Sequence, residues 1–141
     1  MIRVHGTSVA LGGEGILLRG PSGCGKSDLA LRLIDQGAYL VADDQTELHL
    51  DGADIGMTAP ATIAGQIEVR GLGIRRVASL PHAPLRLVVD LVASDEVERM
   101  PEPRHCTLLG RAIPLVALAP FEASVTAKIR LALATAALVA P

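Results

Sequence analysis

Short apolar runs punctuated by glycine and proline dominate the chain, and only two stretches carry helical spacing. Ile2–Leu11 alternates loosely and predicts a first strand, with Gly12-Gly13 as a hairpin turn into a second, Glu14–Arg19. Asp28–Gln36 predicts a helix that Gly37 closes at its C′ position. Tyr39–Ala42 reads as a buried strand and ends in two adjacent carboxylates, Asp43 and Asp44. Thr46–Leu50 alternates and stops at the turn signal Asp51-Gly52. Small residues from Gly52 to Pro60 suggest a loop or a short edge strand. Ile67–Arg70 alternates again, which sets Glu68 and Arg70 on one face. Pro81 and Pro84 bound a loop, and Leu85–Leu91 is the next buried strand. The polar stretch Ser94–His105 is expected to be a surface loop. Cys106–Leu109 and Ile113–Leu118 look like a hairpin turning at Gly110-Arg111. Pro120 then opens a final helix, Phe121–Val139, with Val125, Ile129, Leu133 and Ala136 as its core-facing stripe. One α/β domain over residues 1–141 is the expectation, with no internal repeat.

Between the second strand and the first helix lies Gly20-Pro21-Ser22-Gly23-Cys24-Gly25-Lys26-Ser27. It matches the phosphate-loop pattern G-x-x-x-x-G-K-[ST] at every fixed position, in the strand–loop–helix context the motif requires. A triphosphate needs many converging donors, and backbone N–H groups supply them only where no Cβ intervenes. The glycines permit that approach, and the positive end of the helix adds to it. Lys26 would reach the β- and γ-phosphates and Ser27 would place its hydroxyl on Mg²⁺. Cys24 reads as a small residue at a variable position of the loop.

Composition narrows the class. Half of the 141 residues are hydrophobic, yet there is one Phe, one Tyr and no Trp. Such an aliphatic core suits a buried sheet flanked by helices. The net charge of −2 and the absence of a basic run offer no footprint for nucleic acid. Nor does any apolar run approach the ~18 residues of a membrane span. With no signal-peptide pattern at the N-terminus, a cytoplasmic protein is expected. The two cysteines, Cys24 and Cys106, suggest neither a disulfide framework nor a metal cluster.

Carboxylates at the C-terminal end of a strand face the sheet edge where ligands of open α/β sheets bind. One of Asp43 and Asp44 can hold Mg²⁺ while the other accepts a proton from a hydroxyl nucleophile. Asp90, ending another hydrophobic run, competes for the metal role. Spacing does not choose among them. His5 is, by its residues alone, an ordinary strand histidine.

Taken together, the blocks His5-Gly6, Gly20–Ser27, Leu40–Asp44 and Ile67–Ile74 resemble the catalytic domain of the HPr kinase/phosphorylase family. The phosphate loop is widespread, whereas the Ile67-Glu68-Val69-Arg70-Gly71-Leu72-Gly73-Ile74 block is far more specific. The resemblance implies a mixed, phosphate-loop-containing sheet with flanking helices, like that of phosphoenolpyruvate carboxykinase. It implies ATP- and Mg²⁺-dependent phosphorylation of a serine on an HPr-type phosphocarrier protein, and a homo-oligomer, in the family a hexamer. By the same resemblance Asp43 is the acid/base carboxylate, Asp44 its metal-side neighbour and His5 their partner. Glu68 becomes a metal ligand beside Ser27, Arg70 a phosphate-side cation and Arg99 a contact to the transferred phosphoryl group. Asp90 is demoted to the core.

Three departures qualify what is implied. The chain resembles a short version without the N-terminal domain of longer members. Asp28 stands where they usually carry Glu. Their arginine-rich stretch before the last helix is here Ala119-Pro120-Phe121-Glu122-Ala123-Ser124-Val125, without arginine. The expectation is a kinase with weak or absent phosphorylase activity. A nucleotide-sensing module with little turnover, or a small-molecule kinase, are the other readings.

Overall fold

A computed structural model describes the backbone of residues 1–139 and the side chains of residues 1–136. Its strands are β1 (Ile2–His5), β2 (Thr7–Leu11), β3 (Glu14–Arg19), β4 (Tyr39–Ala42), β5 (Gln45–Asp51), β6 (Asp54–Thr58), β7 (Gln66–Val69), β8 (Gly73–Arg76), β9 (His82–Leu91), β10 (Arg104–Leu108) and β11 (Arg111–Leu118). Two helices, α1 (Lys26–Asp35) and α2 (Val125–Val139), complete the frame. The sheet runs β1-β5-β6-β9-β3-β2-β4, and β11 pairs with both β9 and β10. Within it β3 and β11 lie parallel to β9, whereas the remaining pairings are antiparallel. The mixed sheet that the resemblance implied is therefore present. β7 and β8 form a separate two-stranded hairpin.

β9 is the hinge of this arrangement. Its first residues, His82 to Pro84, pair with β6, and from Leu85 onward it pairs with β3. The register slips there: Gly15 faces Leu85, but Ile16 faces Leu87. Arg86 is the extra residue of a β-bulge, and a bulge reverses which face later side chains occupy. Leu85 and Val88 thus join a core with Leu17, Leu48, Ile55 and Met57, between the two arms of the sheet. Leu87, Val89 and Leu91 join a second core with Ile16, Leu18, Leu29, Leu33, Val125, Ile129 and Leu133, beneath the helices. Arg86 itself donates to Glu14 at 2.6 Å and to Asp54 at 2.8 Å, tying the arms together.

Local signals explain the helix ends. Ala38 N donates to Leu33 O and Gly37 N to Ile34 O, the paired bonds of a Schellman stop. Gly37 sits at φ +105°, a conformation that favours glycine. α2 begins at Val125 rather than Phe121. Residues 120–124 form a turn instead, held by Arg32 donating to Pro120 O and by the Lys128–Glu122 ion pair at 2.6 Å.

Other expectations are corrected by tertiary pairing. Ile2–Leu11 is two strands, because the chain switches partners at Gly6: β1 pairs with β5, but β2 with β3 and β4. A Cβ on Gly6 would lie 2.9 Å from Leu17 Cδ1 and Leu18 O, so the crossing is too tight for any other residue. The stretch after Gly52 holds an internal strand, β6, since β5 and β9 flank it. Pro84 lies inside β9, where the β6 ladder ends and the β3 ladder begins. The expected stripe of α2 does face the core, with Val125, Ile129, Leu133 and Ala136 all buried. Replacing fully buried Ile129 by Ala should cost about 2–5 kcal/mol in urea unfolding. Leu131→Ala, at a position 72% exposed, should stay within about 0.5 kcal/mol. Equal effects would mean that α2 does not dock by this face.

Candidate active site

The phosphate loop joins β3 to α1, and its conformation rests on glycines. Gly23 and Gly25 adopt φ +80° and +104°. Nothing lies within 4 Å of a Cβ built on Gly23, so that side of the loop is open. A Cβ on Gly20 would instead strike Cys24 Sγ at 2.6 Å, and one on Gly25 would strike Phe121 Cζ at 2.7 Å. The N-cap, Gly25, offers no side-chain cap to α1, and the first helical bond is Leu29 N to Gly25 O. The donors of the first turn are thus available to an anion. Lys26 is buried, and its ammonium donates to Gly20 O at 2.8 Å and Pro21 O at 3.0 Å, with Cys24 Sγ at 3.9 Å. A phosphate arriving in the loop would exchange those carbonyls for anionic acceptors, which make stronger hydrogen bonds.

Beside Ser27 lies the first of the two aspartates. Asp43 is 8% exposed and accepts three hydrogen bonds. Ser27 Oγ donates to its Oδ1 at 2.6 Å, Thr7 Oγ1 to the same oxygen at 3.1 Å, and Glu68 N to Oδ2 at 3.0 Å. One carboxylate thereby ties together the phosphate loop, β2 and β7. Its neighbour behaves differently. Asp44 adopts φ +67°, a region that Asp tolerates better than most residues. Gly6 N donates to Asp44 O at 2.8 Å, and Asp44 N donates to Thr7 Oγ1 at 3.1 Å, which holds the turn. The backbone reversal sends the two side chains apart. The Asp44 carboxylate is 63% exposed, with His5 Nδ1 3.5 Å from its Oδ1.

The structure thus gathers Gly20–Ser27, Asp43, Asp44, His5 and the backbone of Glu68 at one sheet edge. Arg70 lies just past β7 and Arg99 in the loop before β10; both are exposed, and neither has a hydrogen bond or ion pair to the site among the described residues. No group of three or more His, Cys, Asp or Glu side chains suited to a metal forms there either. Asp90 is occupied elsewhere. It faces Arg19 across the β3–β9 ladder and accepts from its guanidinium at 2.7 and 3.0 Å, a bond that raises the arginine's pKa above its ordinary value. Thr7 escaped the sequence reading, since nothing distinguishes it from other strand threonines. Only the pairing of β2 with β4 brings its hydroxyl under both aspartates.

Residues 1–129 match the model of the HPr serine kinase C-terminal domain family. The chain belongs to that family. An HPr kinase/phosphorylase of Geobacillus thermodenitrificans is 44% identical over 97 residues, 62% of this chain and 31% of the relative. One of Clostridium tetani is 49% identical over 79 residues, 55% of this chain and 26% of the relative. The chain thus matches about a third or less of those relatives' length. The HPr(Ser) kinase/phosphatase of Coxiella burnetii shares the fold, with a TM-score of 0.86 at 24% identity over 98% of this chain and 97% of that one. Among the described residues no helix is long and apolar enough to cross a membrane.

For this HPr kinase-family domain, the shared hydroxyl of Thr7 is the simplest test of the site's construction. Thr7→Val keeps the shape but leaves the buried site one donor and one acceptor short. Urea unfolding should show a loss of about 1–3 kcal/mol. No change would mean that the aspartates are held by other means.

Proposed function

We propose that the domain is an ATP- and Mg²⁺-dependent protein-serine kinase acting on an HPr-type phosphocarrier protein in the cytoplasm. The observation that carries this reading is the hydrogen bond from the phosphate-loop hydroxyl, Ser27, to buried Asp43, with Asp44 turned outward beside His5. The Ser27 hydroxyl, with Asp43 behind it, fits a magnesium ion, and Glu68, whose backbone N–H bonds the same carboxylate, is the further candidate ligand. Magnesium needs few protein ligands, because phosphate oxygens and waters fill its remaining positions. When bound, it would neutralise charge on the β- and γ-phosphates.

The geometry favours a division of roles opposite to the one that the resemblance implied. Three donors already occupy Asp43, so it has little capacity left to accept a proton from an incoming serine. Asp44 is reachable from solvent, and among the described residues its one charged partner is His5. Asp44 is the general base that takes the serine proton, and His5 orients its carboxylate. Asp43 holds Ser27 and the metal side. Lys26 leaves the carbonyls of Gly20 and Pro21 for the β- and γ-phosphate oxygens. Arg70 and Arg99 remain candidates to approach the phosphoryl group when a partner docks. Exposed Leu72, Ile74 and Met100 supply apolar surface for the homo-oligomer, a hexamer by family resemblance.

Phosphorolysis is the weaker direction. It must bring together two dianions, and unit charges 4 Å apart repel by about 4 kcal/mol at an effective dielectric of 20. The turn before α2 runs against the phosphate loop, since Phe121 contacts the Gly25 position, yet residues 119–125 contain no arginine to offset that repulsion. The same lack of arginine in residues 119–125 favours a second reading, a nucleotide-sensing module with little turnover.

Labelled ATP, Mg²⁺ and an HPr-type protein test the proposal. Phosphoserine should form, and Lys26→Ala should abolish it. Asp44→Asn should lose two or more orders of magnitude in rate with nearly unchanged Mg–ATP affinity. Asp43→Asn should instead weaken the Mg²⁺ dependence of binding. Run in reverse with phosphoserine partner and phosphate, pyrophosphate release should be far slower. Tight ATP binding without transfer would favour the sensing module, and an Asp43→Asn variant that bound Mg–ATP normally but lost the rate would restore the opposite division.

A further inference from the structure

The parallel strands β3, β9 and β11 end side by side, at Arg19, Leu91 and Leu118. The segments that follow them are the phosphate loop, residues 92–96 and residues 119–124. Among these three lies a cavity of about 680 Å³, within the size range of small-molecule sites. Pro21 and Cys24 of the phosphate loop form part of its wall, and Leu91, Ala93, Ala119 and Phe121 supply much of the rest. The cavity is therefore continuous with the phosphate site and mainly apolar.

Its place in the sheet sets its direction. Along β11-β9-β3-β2-β4 the phosphate loop follows the central strand, the aspartates follow β4, and the cavity lies over β9 and β11 on the opposite flank. A nucleotide laid across the loop has two ends. Its terminal phosphate belongs beside the outward carboxylate of Asp44, which leaves its nucleoside toward the cavity. We propose that this cavity holds the nucleoside of the triphosphate, with the Phe121 ring as the stacking platform for its base. The assignment rests on the phosphate-loop reading above.

Phe121 suits the task physically. It is the chain's one Phe and is 70% exposed, although burying such a ring is favourable. The turn that carries it is braced at both neighbouring residues, by Arg32 donating to Pro120 O and by Lys128 donating to the Glu122 carboxylate, so the ring is presented on a fixed turn. Glycine at position 25 leaves the room that the ring needs against the loop. Any base offers a π-face, so stacking favours a nucleoside over bare phosphate without demanding one base. At the cavity wall Ser94 and Glu96 offer a hydroxyl and a carboxylate to ribose hydroxyls or an exocyclic amine.

The test compares Mg–ATP with inorganic tripolyphosphate by titration calorimetry, since tripolyphosphate has the phosphates but no nucleoside. The wild-type protein should bind ATP about tenfold tighter or more, the scale of one base–aromatic stack. Phe121→Ala, and separately Ala93→Trp to fill the cavity, should bring ATP to within about threefold of tripolyphosphate. Both variants should keep tripolyphosphate affinity and the far-ultraviolet dichroism of the fold. A preserved tenfold gap in both variants would overturn the assignment, as would equal losses for both ligands. If the wild type bound neither ligand, the phosphate-loop reading would fail first. If it bound both equally, only the nucleoside site would fall.

Discussion

The site depends on one carboxylate being buried and fully engaged. Asp43 has to lie inside the protein to reach Ser27, and a buried polar group is tolerated only when its hydrogen bonds are made. Thr7, Ser27 and the Glu68 amide make them, so β2, the phosphate loop and the β7–β8 hairpin converge on that point. The same requirement shapes Asp44. Once Asp43 points inward, the chain must reverse at once to rejoin β5, and the positive φ of Asp44 accomplishes the reversal. Two adjacent, chemically identical residues thereby acquire opposite environments, one carboxylate engaged inside the protein and the other open to solvent.

The second constraint is the double life of β9. One strand serves an antiparallel arm and a parallel arm, and the Arg86 bulge lets its side chains change faces between them. That phase change allows two cores to share a sheet, one under the helices and one between the arms. It also aligns the ends of β3, β9 and β11, so that three successive loops meet at one edge. The phosphate loop thus stands between an acidic flank and an apolar flank, which suits a ligand with a charged end and an aromatic end.

Much of this was legible in the residues because local chemistry decides it. Gly37 stops α1 wherever the helix packs, and the phosphate loop needs only its own glycines and the helix after it. The hairpins at Gly12-Gly13 and Gly110 were equally readable. What escaped depends on partners far along the chain. Gly6 splits a strand because Leu17 and Leu18 crowd it, and Pro84 sits within a strand because two ladders change over there. Thr7 and the inward turn of Asp43 emerge only when β2 and β4 pair. Phe121 reads as the start of a helix until Arg32 and Lys128 are seen fastening its turn.

A crystal structure with Mg²⁺ and a non-hydrolysable ATP analogue tests the central claim most directly. The distances to measure run from the terminal phosphorus to the two aspartate carboxylates and to Phe121. The account predicts triphosphate within Gly20–Ser27, with Lys26 Nζ released from Gly20 O and Pro21 O. It predicts Asp44 facing the open side of the terminal phosphate while Asp43 stays on the Ser27 side. A terminal phosphate pointing toward Phe121, or Asp43 rather than Asp44 facing its open side, would contradict it.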